Sequence, residues 1–411
     1  MSGPDVLIVG AGPAGLSAAR VLLELGVDDV LVLDREAEAG GIPRHSDHTG
    51  YGVRDMRTVL RGPEYAHRLV EAALDAGARL RTEAMATNWA GDRALDVTSP
   101  QGRERIEAGA ILLATGARER PRAARWIPGD RPDGVFTTGQ LQQWVHLRHL
   151  PVGERAVIVG AELVSWSAVL TLREAGCRTV LMTSEHAHAE VYGPVALAGR
   201  PLLAGPLARR ARVVRINGRS RVESVDIEHV DTGRRRRIEC DTVVLTGDWI
   251  PDNELARTAG LDVDIASGAP IVDTVLRTSH DGVFGAGNLL HPVDTADVAA
   301  IDGRHAAEGI VRWLGGERPQ GAVIRLRAQA PFRWVAPSVI RPGDPAPPRG
   351  RLLLWADAER RLPIVTITQG GRVVARRRMP WPVSPGRVFR VPWSMCADLD
   401  PAGGDAVIGL G

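Results

Sequence analysis

Val6-Leu7-Ile8-Val9-Gly10-Ala11-Gly12-Pro13-Ala14-Gly15 decides the fold of this chain. Four consecutive apolar residues read as a strand buried on both faces, and the glycine-rich turn leads into a helical pattern that continues to about Leu25. A strand that ends on such a turn brings backbone N–H groups and the positive end of a helix up to a pyrophosphate. Gly10 makes the turn, Gly12 lets the backbone approach the ligand and Gly15 allows close helix–strand packing. The next apolar run, Val30-Leu31-Val32-Leu33, ends in Asp34, a carboxylate placed to accept ribose hydroxyls. Strand, spacing and acid together form a dinucleotide-binding fingerprint, and Asp34 disfavours a 2′-phosphorylated nucleotide.

Working outward, the chain alternates strands and helices. Pro63 opens a helix running through Leu74, and a strand follows at Arg79 to Arg81. Alternation between Ala86 and Ile106 predicts two or three antiparallel strands with turns at Gly91-Asp92 and Pro100-Gln101-Gly102, before Ile111-Leu112-Leu113-Ala114-Thr115-Gly116 returns to the parallel sheet. A second cycle begins at Ala156-Val157-Ile158-Val159-Gly160, with a helix through Ala175, a strand at Thr179 to Met182, an acid at Glu185, and Thr242 to Gly247 mirroring the Ala-Thr-Gly strand. Gly282 to Asn288 and an alanine-rich helix, Val298 to Ile310, complete the first unit, with Asp294, Thr295 and Asp297 expected as N-caps. Beyond Arg318, proline and glycine punctuation with short alternating runs reads as β structure. The expected fold is α/β: two Rossmann-like FAD/NAD(P)-binding domains, the second inserted in the first, plus a small C-terminal β domain. The expected boundaries are 1–122 and 269–318 for the first domain, 123–268 for the insert and 319–411 for the β domain.

The 411 residues have 44% hydrophobic and 24% charged content and a formal net charge of +2, which gives no bulk electrostatic case for nucleic acid. All basic side chains other than histidine are Arg, so lysine Schiff-base and P-loop chemistry are excluded. Three separated cysteines, Cys177, Cys240 and Cys396, encode no local zinc or iron–sulfur site and read as buried thiols. No metal site is expected. No apolar run approaches a membrane span and no signal peptide precedes the first strand, so a cytoplasmic location is expected. The Arg234 to Arg237 run follows the turn signal Asp231-Thr232-Gly233 and reads as a solvated hairpin before an anion site.

The trio formed by the Gly10 turn, Ala114-Thr115-Gly116 and Gly285-Ala286-Gly287-Asn288 resembles the flavoprotein oxidoreductases with two dinucleotide-binding domains. The loop Gly40-Gly41-Ile42-Pro43-Arg44-His45, with Gly62-Pro63-Glu64-Tyr65-Ala66, Gly116 to Pro121 and Thr138-Gly139-Gln140-Leu141, is similar to subunits related to sarcosine oxidase alpha chains, opine oxidases, hydrogen cyanide synthase and accessory oxidoreductases of glycerol-3-phosphate dehydrogenases. The resemblance implies FAD, held by Gly10, Gly12, Pro13, Ala14, Gly15, Asp34, Arg35, Gly41, Ile42, Arg44, His45, Ala86, Ala114, Thr115, Gly116, Gly287, Asn288, Asp297 and Val298. It further implies that the helix after Asp297 points its positive end at the flavin C2 carbonyl through the Val298 and Ala299 N–H groups. Asn288 stands where the family usually has Asp. Pro43 and His48 occupy the positions of the redox cysteines of the disulfide-reductase branch, so thiol–disulfide turnover is not expected.

The second glycine turn reads Gly160-Ala161-Glu162-Leu163-Val164-Ser165 and keeps only its first glycine. A bulky acid at Glu162 argues against productive NAD(P)H binding and leaves packing or partner docking as that domain's alternative role. Removing an N–H or O–H proton during hydride transfer to flavin needs a base, for which His45, His48 and His291 are candidates, a structural or cofactor-orienting role coming first for each. Arg44 suits the FAD pyrophosphate before a substrate carboxylate. The expectation is one FAD-dependent oxidoreductase component of a heteromeric enzyme that turns over a small amine, amino acid derivative or hydroxy acid. Its expected partners are a second flavoprotein subunit plus a small ferredoxin-like subunit. Two alternatives stand beside it: an NAD(P)H-dependent flavoprotein reductase, and a non-catalytic flavin-bearing docking or electron-relay subunit.

Overall fold

The computed structural model describes residues 3–187, 190–191, 197, 199–292 and 294–411. It divides into two compact units, one of residues 3–44, 50–117 and 251–411, the other of 45–49 and the described part of 118–250.

In the first unit, five parallel strands lie in the order Val283–Gly285, Ala110–Leu113, Val6–Val9, Val30–Leu33, Arg79–Arg81. Strand periodicity of two sends Val6, Ile8, Val30, Val32 and Leu112 into one core and Leu7, Val9, Leu31, Leu33, Ile111 and Leu113 into another. Helices Pro13–Glu24, Gly62–Asp75 and Ala296–Leu314 supply the first core through residues such as Leu16, Leu69 and Ile310. The antiparallel sheet Met85–Gly91, Ala94–Ser99, Gly102–Glu107 and the short helix Glu254–Thr258 supply the second, through Leu95, Val97, Ile106 and Leu255. An apolar run that must pack on both faces explains why these strands show no polar alternation.

Residues 251–268, expected in the insert, pack in the first unit instead. Thr115 Oγ1 donates to the Asp252 carbonyl at 2.6 Å, and Leu255, Ala256 and Leu261 fill the second core. The short segment 45–49 goes the other way, because Gln142 Nε2 donates to Ser46 Oγ at 3.2 Å and His146 Nδ1 lies 2.7 Å from the His45 carbonyl.

The C-terminal segment forms two sheets, Val339–Ile340/Ile324–Ala328/Ala406–Leu410/Ile364–Gln369/Arg372–Arg378 and Phe332–Ala336/Arg351–Ala356/Phe389–Pro392, around a core including Leu326, Leu352, Val365, Ile367, Phe389 and Ile408. It is compact with the first unit: Ser338 and Val339 N–H groups donate to the Val272 carbonyl, and Arg277 pairs with Asp344.

The second unit repeats the plan. Its parallel sheet runs Val135–Thr137, Thr242–Leu245, Arg155–Val159, Arg178–Ser184, Leu207–Arg209, with helix Leu163–Glu174 on one face. The antiparallel sheet Ala211–Asn217/Ser224–His229/Arg235–Glu239 lies on the other. The arginine run forms the expected hairpin, with Arg235 on Glu228 at 2.8 Å and Arg237 on Asp226 at 2.9 Å.

Candidate functional site

The three glycines of the first turn do separate work. Gly10 has φ +109°, and a Cβ there would meet the Ala114 carbonyl oxygen at 2.4 Å, so this turn is pressed against the Ala114-Thr115-Gly116 strand end. A Cβ on Gly15 would meet the Gly10 oxygen at 1.9 Å, which fixes how closely the helix starting at Pro13 sits on its strand. At Gly12 a Cβ would find only the Gly41 Cα, at 3.9 Å, so the turn is open on the side from which a ligand approaches. Gly41 closes the other wall: the Gly40 N–H donates to the Ala11 carbonyl at 2.8 Å, and a Gly41 Cβ would meet Gly12 Cα at 2.9 Å.

Asp34 accepts from the Ala11 N–H at 2.7 Å through one oxygen and from the Glu36 N–H at 2.9 Å through the other. Each carboxylate oxygen keeps a lone pair for a ribose hydroxyl. Arg35 lies 3.4 Å from Asp252, and Arg44 is neutralised by Glu38 at 3.1 Å. Ile42, Arg44 and His45 share the 3-10 turn Ile42–His45 that follows the paired glycines. Ala86 is buried in the antiparallel appendage.

Helix Ala296–Leu314 brings the late segment to the same place. A Cβ on Gly303 would meet the Ala14 carbonyl oxygen at 1.9 Å, and one on Gly287 would meet Ala14 Cβ at 2.9 Å, so Gly287 and Asn288 border the first helix's N-terminal turn. Asn288 Nδ2 donates to the Asp294 carbonyl at 3.1 Å, which leaves Oδ1 buried with no hydrogen-bond partner among the described residues. A glycine turn tight at Gly10, Gly15 and Gly41 and open at Gly12, a ribose acid and an orphaned buried acceptor together fit FAD.

The expected N-caps are otherwise engaged. Thr295 is the N-cap residue, but its side chain makes no cap bond. Asp294 is held by Arg390 at 2.7 Å and Arg349 at 3.8 Å, and Asp297 by the Arg54 N–H at 3.0 Å and guanidinium at 3.1 Å. Burial alone would raise the Asp294 pKa, but Arg390, His291 and Arg349 hold it below the usual value. The Val298 and Ala299 N–H groups donate to the Thr295 carbonyl at 3.0 and 3.1 Å, rather than standing open. Arg54, Arg349 and Arg390 left no signal in the sequence. Asp302 did: it is a lone acid on the buried Ala299, Ala300, Gly303, Ala306, Ala307 stripe, and it pairs with His291. Burial would lower the His291 pKa, but Asp302 and Asp294 raise it overall. His48 is tied at both nitrogens, 3.1 Å from Ser46 Oγ and 2.9 Å from the Thr49 carbonyl. His45 is buried in the second unit.

The second turn is closed by its own side chains. Ser165 Oγ lies 2.6 Å from Thr246 Oγ1 across the position of the lost third glycine. The Glu162 carboxyl turns inward over Gly247, whose Cβ would meet it at 2.5 Å, and accepts from Trp249 Nε1 at 3.4 Å. Enclosure and the nearby Glu190 push its pKa up to about 8. Near neutral pH the obstruction is therefore mainly volume and not the negative charge that the sequence alone suggests. Cys177, Cys240 and Cys396 are buried free thiols, each pushed up to about 12 by burial. No group of metal ligands occurs among the described residues, and no described helix is long and apolar enough to cross a membrane.

The chain is 27% identical to a thioredoxin reductase of Treponema pallidum over 75% of its own length and 98% of that protein's. It is 28% identical to an opine oxidase subunit of Rhizobium meliloti, covering 79% of this chain and 65% of the relative, so it spans about two thirds of that protein. Among solved structures, a T. acidophilum thioredoxin reductase superposes with a TM-score of 0.63 at 22% identity, covering 75% of this chain and 97% of that one, which shows the shared fold. The pyridine nucleotide-disulphide oxidoreductase family model matches residues 4–303, and the chain belongs to that family as an FAD-dependent oxidoreductase.

Proposed function

We propose that this chain is the FAD-bearing subunit of a heteromeric dehydrogenase or oxidase. In this reading it takes a hydride from a small amine, amino acid derivative or hydroxy acid and passes electrons to a second flavoprotein subunit plus a small ferredoxin-like subunit in the cytoplasm. The carrying observation is Glu162, whose side chain fills the turn where a nicotinamide dinucleotide would lay its pyrophosphate. A flavoprotein with that turn obstructed needs a donor other than NAD(P)H. The buried, unreactive cysteines weigh against a thiol route as well. Likeness to an opine oxidase subunit supports the donor class.

FAD supplies the hydride acceptor when bound. The chain's own residues hold it: the Gly10–Gly15 turn at the pyrophosphate, Asp34 at a ribose, Asn288 at a further hydroxyl. The base for the donor proton is sought in this reading among His45, His48 and His291, a histidine being suited to that transfer near neutral pH.

The test is anaerobic. Protein with bound FAD is mixed with NADH, then with amines, amino acid derivatives and hydroxy acids, and the oxidised flavin band at about 450 nm is followed. Bleaching by one of the latter and not by NADH is expected; rapid bleaching by NADH overturns the reading in favour of a reductase. If dithionite reduces the flavin but no donor does so even with candidate partner subunits present, the docking or electron-relay reading replaces it. Of His45→Ala, His48→Ala and His291→Ala, the variant that removes the base should retain FAD and slow reduction by the true donor about a hundredfold.

A further inference from the structure

Asn288 and the C-terminal segment are joined by a short chain of contacts. Arg390 Nη2 reaches both Asp294 carboxylate oxygens, at 2.7 and 2.8 Å, and Arg349 adds a contact at 3.8 Å. The Asp294 side chain is only 3% exposed, and those of Arg390 and Arg349 are 24% and 19% exposed. Asp294 therefore has little freedom while the arginines hold it. Its carbonyl receives Asn288 Nδ2 at 3.1 Å, and an amide whose nitrogen faces a carbonyl must turn its oxygen the opposite way. That oxygen is buried and orphaned beside Gly287, which abuts the first helix's N-terminal turn at Ala14. A buried acceptor with no protein partner is costly unless a ligand completes it.

We propose that Arg390 and Arg349 are positioning residues for FAD, acting through Asp294 to aim Asn288 Oδ1 at a hydroxyl of the cofactor's sugar-alcohol chain. Both arginines pair with Asp294. Their effect passes through one carboxylate and one amide, and it gives the β segment beyond residue 319 a part in cofactor binding. It rests on FAD binding alone and stands apart from the choice of electron donor.

The experiment reads FAD affinity without substrate: apoprotein is titrated with FAD, following the change in flavin fluorescence, and each apoprotein's melting temperature is recorded. Asn288→Ala should weaken FAD about tenfold, the scale of one buried hydrogen bond. Arg390→Ala should give a loss of similar size or smaller, and Arg390→Lys, which keeps the charge, should recover most of it. The decisive variant is the double Asn288→Ala, Arg390→Ala: if the arginine works through Asn288, it binds FAD no more weakly than Asn288→Ala alone. Arg390→Gln serves in both single and double form should the alanine variant fold poorly. Wild-type FAD affinity in the arginine variants, or losses that multiply in the double variant, would overturn the proposal.

Discussion

At the scale of single residues, Glu162 shows how burial changes the meaning of a substitution. A carboxylate at a phosphate-binding turn reads from sequence as a repelling charge, but its inward-facing position pushes its pKa from 4.5 to about 8. The folded protein thus holds a proton between those values that the unfolded chain has lost, so this residue makes stability fall as pH rises from about 4.5 to about 8 and adds no further slope above that. Glu162→Gln should remove this contribution. Urea unfolding across that window should give a flatter stability profile for the variant, with its advantage over the natural protein largest above pH 8; parallel profiles would refute the assignment. Glu162 was legible as an obstruction because it breaks a spaced glycine pattern. That it is held protonated near neutral pH was not, because this depends on enclosure beside Gly247 and on the nearby Glu190, both remote in sequence.

At the scale of elements, the buried strands were readable from their uninterrupted apolar runs, and the helix of residues 296–314 from its alanine stripe. Val6-Leu7-Ile8-Val9 and Ala110–Leu113 lie side by side in register, Val6 opposite Ala110, with alternate side chains entering opposite cores. The same helix exposes the limit of such reading. Its predicted capping acids each accept the N–H of the next residue, Thr295 or Val298, and are also paired with arginines from elsewhere in the chain, Asp297 with Arg54 and Asp294 with Arg349 and Arg390, through charge-assisted bonds. Gly303 is where this helix meets the first one, its Cα facing the Ala14 carbonyl. Gly303→Ala should force the two helices apart, costing about 1–3 kcal/mol in chemical unfolding and weakening FAD binding. An alanine variant as stable as the parent would show that the helices can separate freely.

At the scale of the whole molecule, the proposed FAD cradle draws on three stretches of the first unit: the Gly10 turn with Asp34 and Gly41, Ala114 to Gly116, and Gly287 to Asn288. A ligand touching all three should stabilise that unit by mass action, about 4 kcal/mol at a thousandfold excess over Kd. Calorimetry of FAD-stripped protein should therefore show its melting temperature lowered by several degrees and restored by added FAD; identical melting with and without FAD would count against the cradle.

The sequence by itself determined the two-fold repeat of strand, glycine turn and helix, the acid at Asp34, the FAD-type late segment and the damage to the second turn. These are local patterns, written in residues close enough along the chain to be read together. Only the tertiary structure decided that residues 251–268 belong with the first unit, that the β segment joins it, and that Arg390 and Arg349 reach Asp294. Those facts depend on which distant surfaces bury each other and which charges find partners in the process. An arginine in a short β run carries no local mark of the carboxylate, nearly a hundred residues earlier, that it will neutralise.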